Sequence, residues 1–327
     1  MNNYRYGKNK IIFLLSLVII VVLSVLLVVP DKIKSTPVAV KIPSYRAISD
    51  LIFEHVVIRV DDLSQATEDY QALGFTVVYG GSHGGGFTHN ALIYFRDGTF
   101  VELIEYKNRW LLRSLLRLGI LDVFLKNTSK HLKYRFSEVV DYPEGFIDSA
   151  LLTKDMKGTF QQVIDRGLTV APPTEFSRQR DNAPLVRWKI MSPIESVLPF
   201  VRDPYMPAIP VTNDMVTHKN GALGISQMVY GTRALEKTVN GFEKLLGITA
   251  NYPRVEALTE SNLVIFTLSK GFMNLSIRHE DIVLPDKRDG PVEMTIYAKS
   301  NDMSSVPRVK RFSRDKTHGA AINISYR

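Results

Sequence analysis

A strand, a short helix and three further strands recur along this chain, and this repeat constrains the fold more than any other feature. The first copy begins with the apolar strand "FEHVVIRV", and Asp62 follows as a helix N-cap with Gln65 in the capping-box position. Apolar residues recur at helical spacing until Gly74, which can end the helix in a left-handed conformation. The segments "FTVVYG", "FTHNALIYF" and "TFVELIEY" predict the three strands that complete the copy.

The same order of elements returns twice. A second copy begins at "GFIDSALLT", Asp155 caps its helix, and "LTVAPP", "PLVRWKI" and "SVLPFV" follow as strands. A third begins at "GISQMVY", its helix ends at Gly247, and "ITANYP", "NLVIFTLS" and "FMNLSI" complete it. One unit of this size cannot bury both faces of its sheet, so we expect copies to pair. The predicted fold class is α+β, built from βαβββ units.

The N-terminal region has the character of a membrane segment. Residues 11–29 read "IIFLLSLVIIVVLSVLLVV", a charge-free run close to the ~20 residues that span a bilayer. Basic residues precede it, and the following "VVPDKIK" lacks a small-residue cleavage site, so an uncleaved single-pass anchor is predicted. Lysines on both sides leave the charge rule nearly balanced. The short head favours a chain whose bulk lies outside the cytoplasm, at the cell membrane.

These observations predict the domain organisation. The 327 residues are enough for about two domains. We expect a cytoplasmic head at 1–10, the transmembrane anchor at 11–29, a linker at 30–50, a two-unit domain at 51–207 with an insertion at 107–140, a third unit at 218–300 and a polar, irregular tail at 301–327.

Composition excludes some classes of function. The chain has no cysteine, which excludes disulfides and thiolate metal sites, so any metal must have nitrogen and oxygen ligands. The net charge is +8, but the basic residues are dispersed and form no nucleic-acid motif, so no nucleic-acid partner is expected. One basic stretch, residues 107–136, interleaves leucines with arginines. It is either a helical insertion that buries its leucines or an amphipathic helix on an anionic membrane.

The first strand carries a histidine in an apolar setting. Side chains alternate along a strand, so one face is fully apolar and the other carries Phe53, His55, Val57 and Arg59. A mixed face suits a lined cavity better than a packed interior. Glu102, in the fourth strand of the same unit, can share this face with His55 if the two strands lie side by side.

At this point the residues resemble the glyoxalase-like domain family of the vicinal oxygen chelate superfamily, which includes glyoxalase I, extradiol dioxygenases and bleomycin-resistance proteins. The resemblance is carried by "HVVIRVDDLSQATEDYQALGFTVVYGGSHGGGFTHNALIYFRDGTFVELI", followed by "SRQRDNAPLVRWKI", "LPFV" and "HKNGALGI". It implies that two βαβββ units join their sheets into a cupped half-barrel. It also implies a divalent metal in the cup, held by residues of the first and fourth strands of each unit.

The metal ligands implied by this resemblance are His55, Glu102 and Asp148. The second unit departs from the pattern, because counting from the helix ends places the partner of Glu102 at Glu195, whereas matching strand to strand places it near Pro199, which cannot be a ligand. Glu102 is also the candidate general base, or equally the salt-bridge partner of Arg59 on the same face. A metal held by His55, Glu102 and Asp148 would have one nitrogen and two oxygen ligands, and its remaining coordination positions would be open to a substrate.

Other polar residues are candidates for substrate binding. His83 and His89 lie in and after the glycine-rich loop "GGSHGGG", which we interpret as a flexible rim, with His89 and Asn90 as pocket or loop-fixing residues. Arg178 and Arg187 could bind a carboxylate or phosphate through bidentate contacts, or could form a solvated charged edge.

Three functions remain open from the sequence. The first is a metal-dependent lyase, isomerase or dioxygenase acting on a small oxygenated compound. The second is a metal-free protein that binds and sequesters a small molecule. The third is a membrane-tethered assembly module without catalysis. Fold alone does not decide between them, and a homodimer is left open.

Overall fold

The first repeat forms the elements that its sequence predicts. Asp62 is the N-cap of helix α1 and accepts hydrogen bonds from the backbone of Ser64 and Gln65, while Gly74 takes the left-handed conformation, with φ of 91°. The structure is a computed structural model that describes residues 49–83, 87–118, 135, 139–179, 184–251, 263–268, 273–279, 289–299 and 308–327. The elements of this unit are β1 (Ile52–Val60), α1 (Leu63–Ala72), β2 (Val78–His83), β3 (Thr88–Tyr94) and β4 (Phe100–Tyr106).

The second repeat has the same order. Its helix α3 is capped by the Asp155 side chain, which accepts from the backbone N–H of Gly158. Between the units lie helix α2 (Arg109–Arg117) and a short 3-10 helix (Val139–Asp141). The second unit consists of β5 (Gly145–Leu152), α3 (Met156–Asp165), β6 (Val170–Gln179), β7 (Val186–Pro193) and β8 (Phe200–Arg202).

The eight strands of these two units close into a barrel, in the order β1-β4-β3-β2-β6-β7-β8-β5. Within each unit the first and fourth strands are parallel, and the units join through the antiparallel pairs β1–β5 and β2–β6. The β2–β6 seam, the second of these two junctions between the units, is short: it pairs Ser82 with Gln179 and His83 with Arg178. The expectation of a cupped half-barrel is therefore corrected, because this seam closes the cup into a barrel.

The fully apolar face of β1 lies outside the barrel and forms the main core. Val56, Ile58 and Val60 are buried there with residues of α1, α3 and the rest of the chain, as predicted. Phe53 joins this outer core although strict alternation would place it with His55. The reason is a β-bulge: the register moves from Phe53–Leu151 to His55–Ala150, so Glu54 is an extra residue and the faces invert.

Helix α2 covers one part of the barrel with its leucines. Leu112 is buried and Leu115 packs beside it in a cluster with Val57, Ile104 and Tyr106. The inner leucines are thus buried on the domain. On the opposite side of the helix Trp110 is 70% exposed, and Leu118, just after the helix, is equally exposed.

A second, six-stranded sheet follows the barrel, in the order β10-β11-β9-β12-β14-β13. The third repeat begins with β9 and α4, and Gly247 ends α4 in the left-handed conformation, as predicted. Among the described residues, the second strand of this repeat is reduced to an isolated antiparallel bridge between Asn251 and Ile265. The bounds are β9 (Ala222–Thr232), α4 (Leu235–Leu246), β10 (Leu263–Thr267), β11 (Asn274–His279), β12 (Gly290–Ala298), β13 (Val309–Arg311) and β14 (Ala321–Tyr326).

The prediction of an irregular C-terminal tail is wrong. β14 pairs in parallel with β12, and β13 pairs antiparallel with β14. Ile322 and Ile324 are buried in the main core. The pairing of β12 with β9 is antiparallel, as β5 pairs with β1. The residues after Gly290 therefore repeat the first and last strands of a fourth unit.

Barrel and sheet share the main core and are also joined by polar contacts. The buried hydroxyls of Ser149 in β5 and Tyr230 in β9 lie 2.6 Å apart. His218, between β8 and β9, lies 2.9 Å from the carbonyl of Tyr94, and burial lowers its pKa. These contacts fix the third repeat against the barrel wall.

The predicted anchor at residues 11–29 lies outside the described residues. Within the part of the chain that the structure describes, no helix is long and apolar enough to cross a membrane.

Candidate functional site

The strand register brings His55 and Glu102 to the same interior face of the barrel. His55 pairs with Phe100 across β1 and β4, and Val57 pairs with Glu102. Alternation then places all four side chains on one face, which is inside because Val56 and Ile58 lie in the outer core. The distance from His55 Nε2 to Glu102 Oε2 is 3.6 Å. The predicted proximity of these two residues is thus observed.

His55 is held by aromatic rings and by the carboxylate beside it. Its ring stacks on Phe100, with centroids 4.4 Å apart, and meets Phe200 edge-on at 5.7 Å. Its Nδ1 lies 3.1 Å from Glu54 Oε2. Burial raises the pKa of Glu54, but hydrogen bonds from Arg202 and His55 outweigh it and lower this pKa to about 2. Glu54 is therefore an ionised acceptor, so Nδ1 must carry the proton and Nε2 faces Glu102.

A buried ion pair orients Glu54. Arg202 donates from Nε and Nη2 to the two Glu54 oxygens, the second at 2.6 Å. The guanidinium of Arg202 also stacks over the ring of Tyr205, 3.6 Å from its centroid. The bulge that displaces Phe53 allows this buried pair to form, because it turns Glu54 toward the interior.

Glu102 is contacted by polar groups on both oxygens. Asn90 donates from Nδ2 to Oε1 at 2.5 Å, and His83 Nε2 lies 3.6 Å from the same oxygen. Burial raises the pKa of Glu102, but His83, His55 and the hydrogen bond from Asn90 together lower it below its ordinary value. Burial lowers the pKa of His83. The carboxylate of Glu102 thus has a histidine ring beside each of its two oxygens.

Arg178 extends this polar cluster. It pairs with His83 across β2 and β6, and its Nη1 lies 3.3 Å from Asn90 Oδ1, which it reaches as a donor. Asn90 thus connects the guanidinium of Arg178 to the carboxylate of Glu102.

Asp148 lies in the interior but is bound by an arginine. Arg135 donates from Nε and Nη2 to the two Asp148 oxygens at 2.8 and 2.6 Å, and also to the carbonyl of Leu198. Both carboxylate oxygens are therefore occupied, so the expectation that Asp148 joins His55 and Glu102 as a free ligand does not match the geometry.

The register also identifies the second-unit counterpart of Glu102. Val57 and Ala150 are equivalent positions, because each precedes the N-cap of its unit's helix by the same number of residues. Val57 pairs with Glu102, and Ala150 pairs with Phe200. The counterpart is therefore Phe200, one residue from the strand-matched expectation of Pro199, and it carries no donor atom. Glu195, the alternative, lies in the loop before β8 and pairs with Lys237.

These residues do not fit a resident metal ion as they are arranged. Among the described residues, no group of three or more His, Asp or Glu side chains is placed to hold one. Asp148 is bound by Arg135, Phe200 replaces the fourth ligand, and Asn90 donates to a Glu102 oxygen.

Two predicted substrate-binding residues lie elsewhere. His89 alternates with Asn90 along β3, and its Nε2 lies 2.7 Å from Glu105 Oε2, on the face opposite to Glu102. Arg187 is exposed, and its nearest acidic partner, Glu175, is 4.0 Å away. Of the seven candidates, the structure brings together His55, Glu102, Asn90 and Arg178.

Sequence reasoning missed four residues of the site: Glu54, His83 as a wall residue, Arg202 and Tyr205. A glutamate inside an apolar strand is itself a signal, since a buried carboxylate requires a buried partner. His83 was placed in a flexible rim because glycines obscure β2, which in fact extends through it.

Comparison with known proteins agrees with this architecture. The family model described as the glyoxalase-like domain matches residues 53–246, and the chain belongs to this family of the vicinal oxygen chelate superfamily. The match extends into the third repeat, beyond the resemblance seen in the sequence. No curated protein matches the chain.

Solved structures show the same fold. A hypothetical protein from Staphylococcus aureus is similar with a TM-score of 0.63 and 15% identity, over 85% of this chain and 100% of that one. A xylose isomerase-like TIM barrel/4-hydroxyphenylpyruvate dioxygenase fusion protein gives 0.50 and 10%, over 88% of this chain and 50% of that one. A mutant 4-hydroxymandelate synthase from Streptomyces coelicolor gives 0.49 and 10%, over 78% and 72%. At these identities the first two likenesses concern the fold alone, and no conclusion rests on the third.

Proposed function

We propose that the barrel binds a small oxygenated compound and that Glu102 accepts a proton from it. The observation that carries this proposal is the pair of imidazoles, His55 and His83, each 3.6 Å from one oxygen of the Glu102 carboxylate. An ionised carboxylate in a largely dry site is a competent general base when a C–H or O–H acid is bound next to it.

The surrounding residues have separate roles in this proposal. Asn90 holds Oε1 of Glu102 by hydrogen bonding, which leaves Oε2 to face His55 and the bound compound. The ionised Glu54 keeps the proton of His55 on Nδ1, so Nε2 can exchange a proton with Glu102. Phe100 and Phe200 pack against the His55 ring and keep water from it. The proton therefore moves between groups whose orientation is fixed.

One competing proposal uses the same interior. In it, the barrel sequesters a small molecule without turnover, which is supported by the lack of a complete ligand set at Asp148 and Phe200.

Hydrogen exchange into D2O tests the leading proposal. The full chain in detergent micelles is incubated with hydroxyacetone, glycolaldehyde, lactate or pyruvate, and loss of carbon-bound protons is followed by NMR. We expect exchange above background with at least one compound, and Glu102→Gln should lower the rate about 100-fold or more. Glu105→Gln, on the same strand but the opposite face, is the matched control.

The same experiment separates the alternatives. Saturable binding without exchange would favour sequestration. Exchange that is lost on chelation and restored by a divalent metal would contradict a metal-free role for Glu102. Exchange that persists in Glu102→Gln would refute the role of Glu102.

We also propose that residues 11–29 anchor the chain in the cell membrane, with the barrel on the extracytoplasmic side. The charge-free run of these residues supports the anchor. The exposed Trp110 and Leu118 beside Arg117 suit a location near a membrane interface. Deleting residues 1–42 should release the protein from sedimented membranes, and retention of the deleted chain would argue against an anchor.

A further inference from the structure

Arg178 is a buried cation. Its side chain is 1% exposed, and among the described residues its side-chain hydrogen bond is the long contact from Nη1 to Asn90. The edge of its guanidinium that is formed by Nε and Nη2 is buried and has no hydrogen-bond partner among the described residues. An unpartnered buried donor on a charged group is costly, so its retention calls for an explanation.

Two other arginines of the same barrel show what this edge binds. Arg135 holds Asp148, and Arg202 holds Glu54, each by donating from Nε and Nη2 to the two oxygens of one carboxylate. These two nitrogens point their hydrogens in the same direction, which matches the spacing of carboxylate oxygens. Arg178 presents the same pair of nitrogens, and no carboxylate of the described residues binds it.

Arg59 provides a useful contrast. It is also buried with two unpartnered nitrogens, but these are Nε and Nη1, which do not form one parallel edge. Its Nη2 already donates to Asp61 at 2.5 Å. Arg59 therefore has a carboxylate partner, and Arg178 does not have one within the described part of the chain.

Arg178 is connected to Glu102, the proposed proton acceptor, through one intervening residue. It faces the same interior as His83, its strand partner, and it reaches Glu102 through Asn90. Its guanidinium also lies 5.6 Å from the ring of Tyr205. The Nε–Nη2 edge lies on the side of the guanidinium away from Nη1, so a ligand group bound there would lie next to this polar cluster and not between Arg178 and Asn90.

We propose that the Nε–Nη2 edge of Arg178 binds the carboxylate of the ligand, so that the substrate class is a small carboxylic acid. The direction of its reactive carbon toward Glu102 rests on the proposed function, whereas carboxylate binding does not depend on it. The guanidinium neutralises the ligand's charge, and its two parallel N–H groups fix its orientation.

Thermal melting of the full chain in micelles, in chloride-free buffer, tests this inference. The probes are lactate and pyruvate, each paired with its neutral amide, lactamide or pyruvamide. We expect the melting temperature of the wild type to rise with acid concentration and to respond much less to the amides. Arg178→Met should lower acid affinity about 10-fold or more.

The stability of the variant without ligand gives a second readout. Because Arg178 is buried with unused donors, Arg178→Met should melt at the same temperature as the wild type or higher. A purely structural arginine would give the opposite result, a lower melting temperature with acid binding retained. Arg187→Met, on an exposed site of the neighbouring strand, should behave like the wild type in both measurements.

Two results would overturn the inference: equal responses of the wild type to acids and amides, or unchanged acid binding by Arg178→Met. Hydrogen exchange tests the proposed function of Glu102 independently of acid binding by Arg178. Glu102→Gln should keep acid binding and lose only hydrogen exchange, so exchange without any preference for acids would leave the role of Glu102 intact while refuting that of Arg178.

Discussion

Replacement of Glu54 by glutamine should destabilise the barrel strongly, because it leaves Arg202 buried without a counter-charge. Both side chains are almost fully buried, and Nη1 of Arg202 has no partner among the described residues. Breaking one side of such a pair costs about 3–5 kcal/mol. The lowering of the Glu54 pKa from 4.5 to about 2 corresponds to about 3 kcal/mol, of the same order. The melting temperature should fall by on the order of 10 °C.

The dependence on pH follows from the same pair. Glu54 has a lower pKa in the folded chain than in the unfolded one, so its contribution is fully present above pH 4.5 and is lost as pH falls toward about 2. Melting followed by circular dichroism should show a steeper fall across this window for the wild type than for Glu54→Gln.

Two further variants make the reasoning refutable. The double variant Glu54→Gln/Arg202→Met removes both members and should recover much of the lost stability. Glu175→Gln breaks a long, exposed contact to Arg187 and should cost less than about 1 kcal/mol. A Glu54→Gln protein that melts like Glu175→Gln, or a double variant as unstable as the single one, would show that the pair does not stabilise the barrel.

Two other predictions concern the junction between barrel and second sheet. Gly221 has a φ of 73°, and a Cβ there would lie 2.1 Å from the carbonyl oxygen of Lys299, whereas Gly98 has a φ of 89° and open space around it. Gly221→Ala should therefore lower the melting temperature clearly more than Gly98→Ala, and equal effects would contradict the clash. Tyr230→Phe should cost about 1–2 kcal/mol in denaturant unfolding, because Ser149 loses its buried partner, and the same change at the exposed Tyr79 should cost nothing measurable.

Local chemistry made much of the fold predictable. Asp62 and Asp155 cap their helices, and Gly247 ends α4, because capping depends on a few adjacent residues. The barrel's outer core at Val56 and Ile58 followed from alternation alone. Features of this kind are encoded within one element and need no knowledge of its neighbours.

Features that depend on distant partners were not predictable. The bulge at Glu54 inverts the face of Phe53, and a single extra residue leaves no mark in the hydrophobic pattern. Arg135 reaches Asp148 from a segment whose sequence suggested only a basic helix. β14 was missed because its polar neighbours obscured a short buried strand that is specified by pairing with β12.

The location of β14 affects when the chain can finish folding. This strand lies between β12 and β13 and ends at Tyr326. The barrel is complete in sequence by Arg202, so it can form while later residues are still being synthesised. The second sheet cannot close until β14 has left the ribosome. If the chain is exported as proposed, that closure takes place on the far side of the membrane, and a chain that stops short would present the unpaired edge of β12 to other strands.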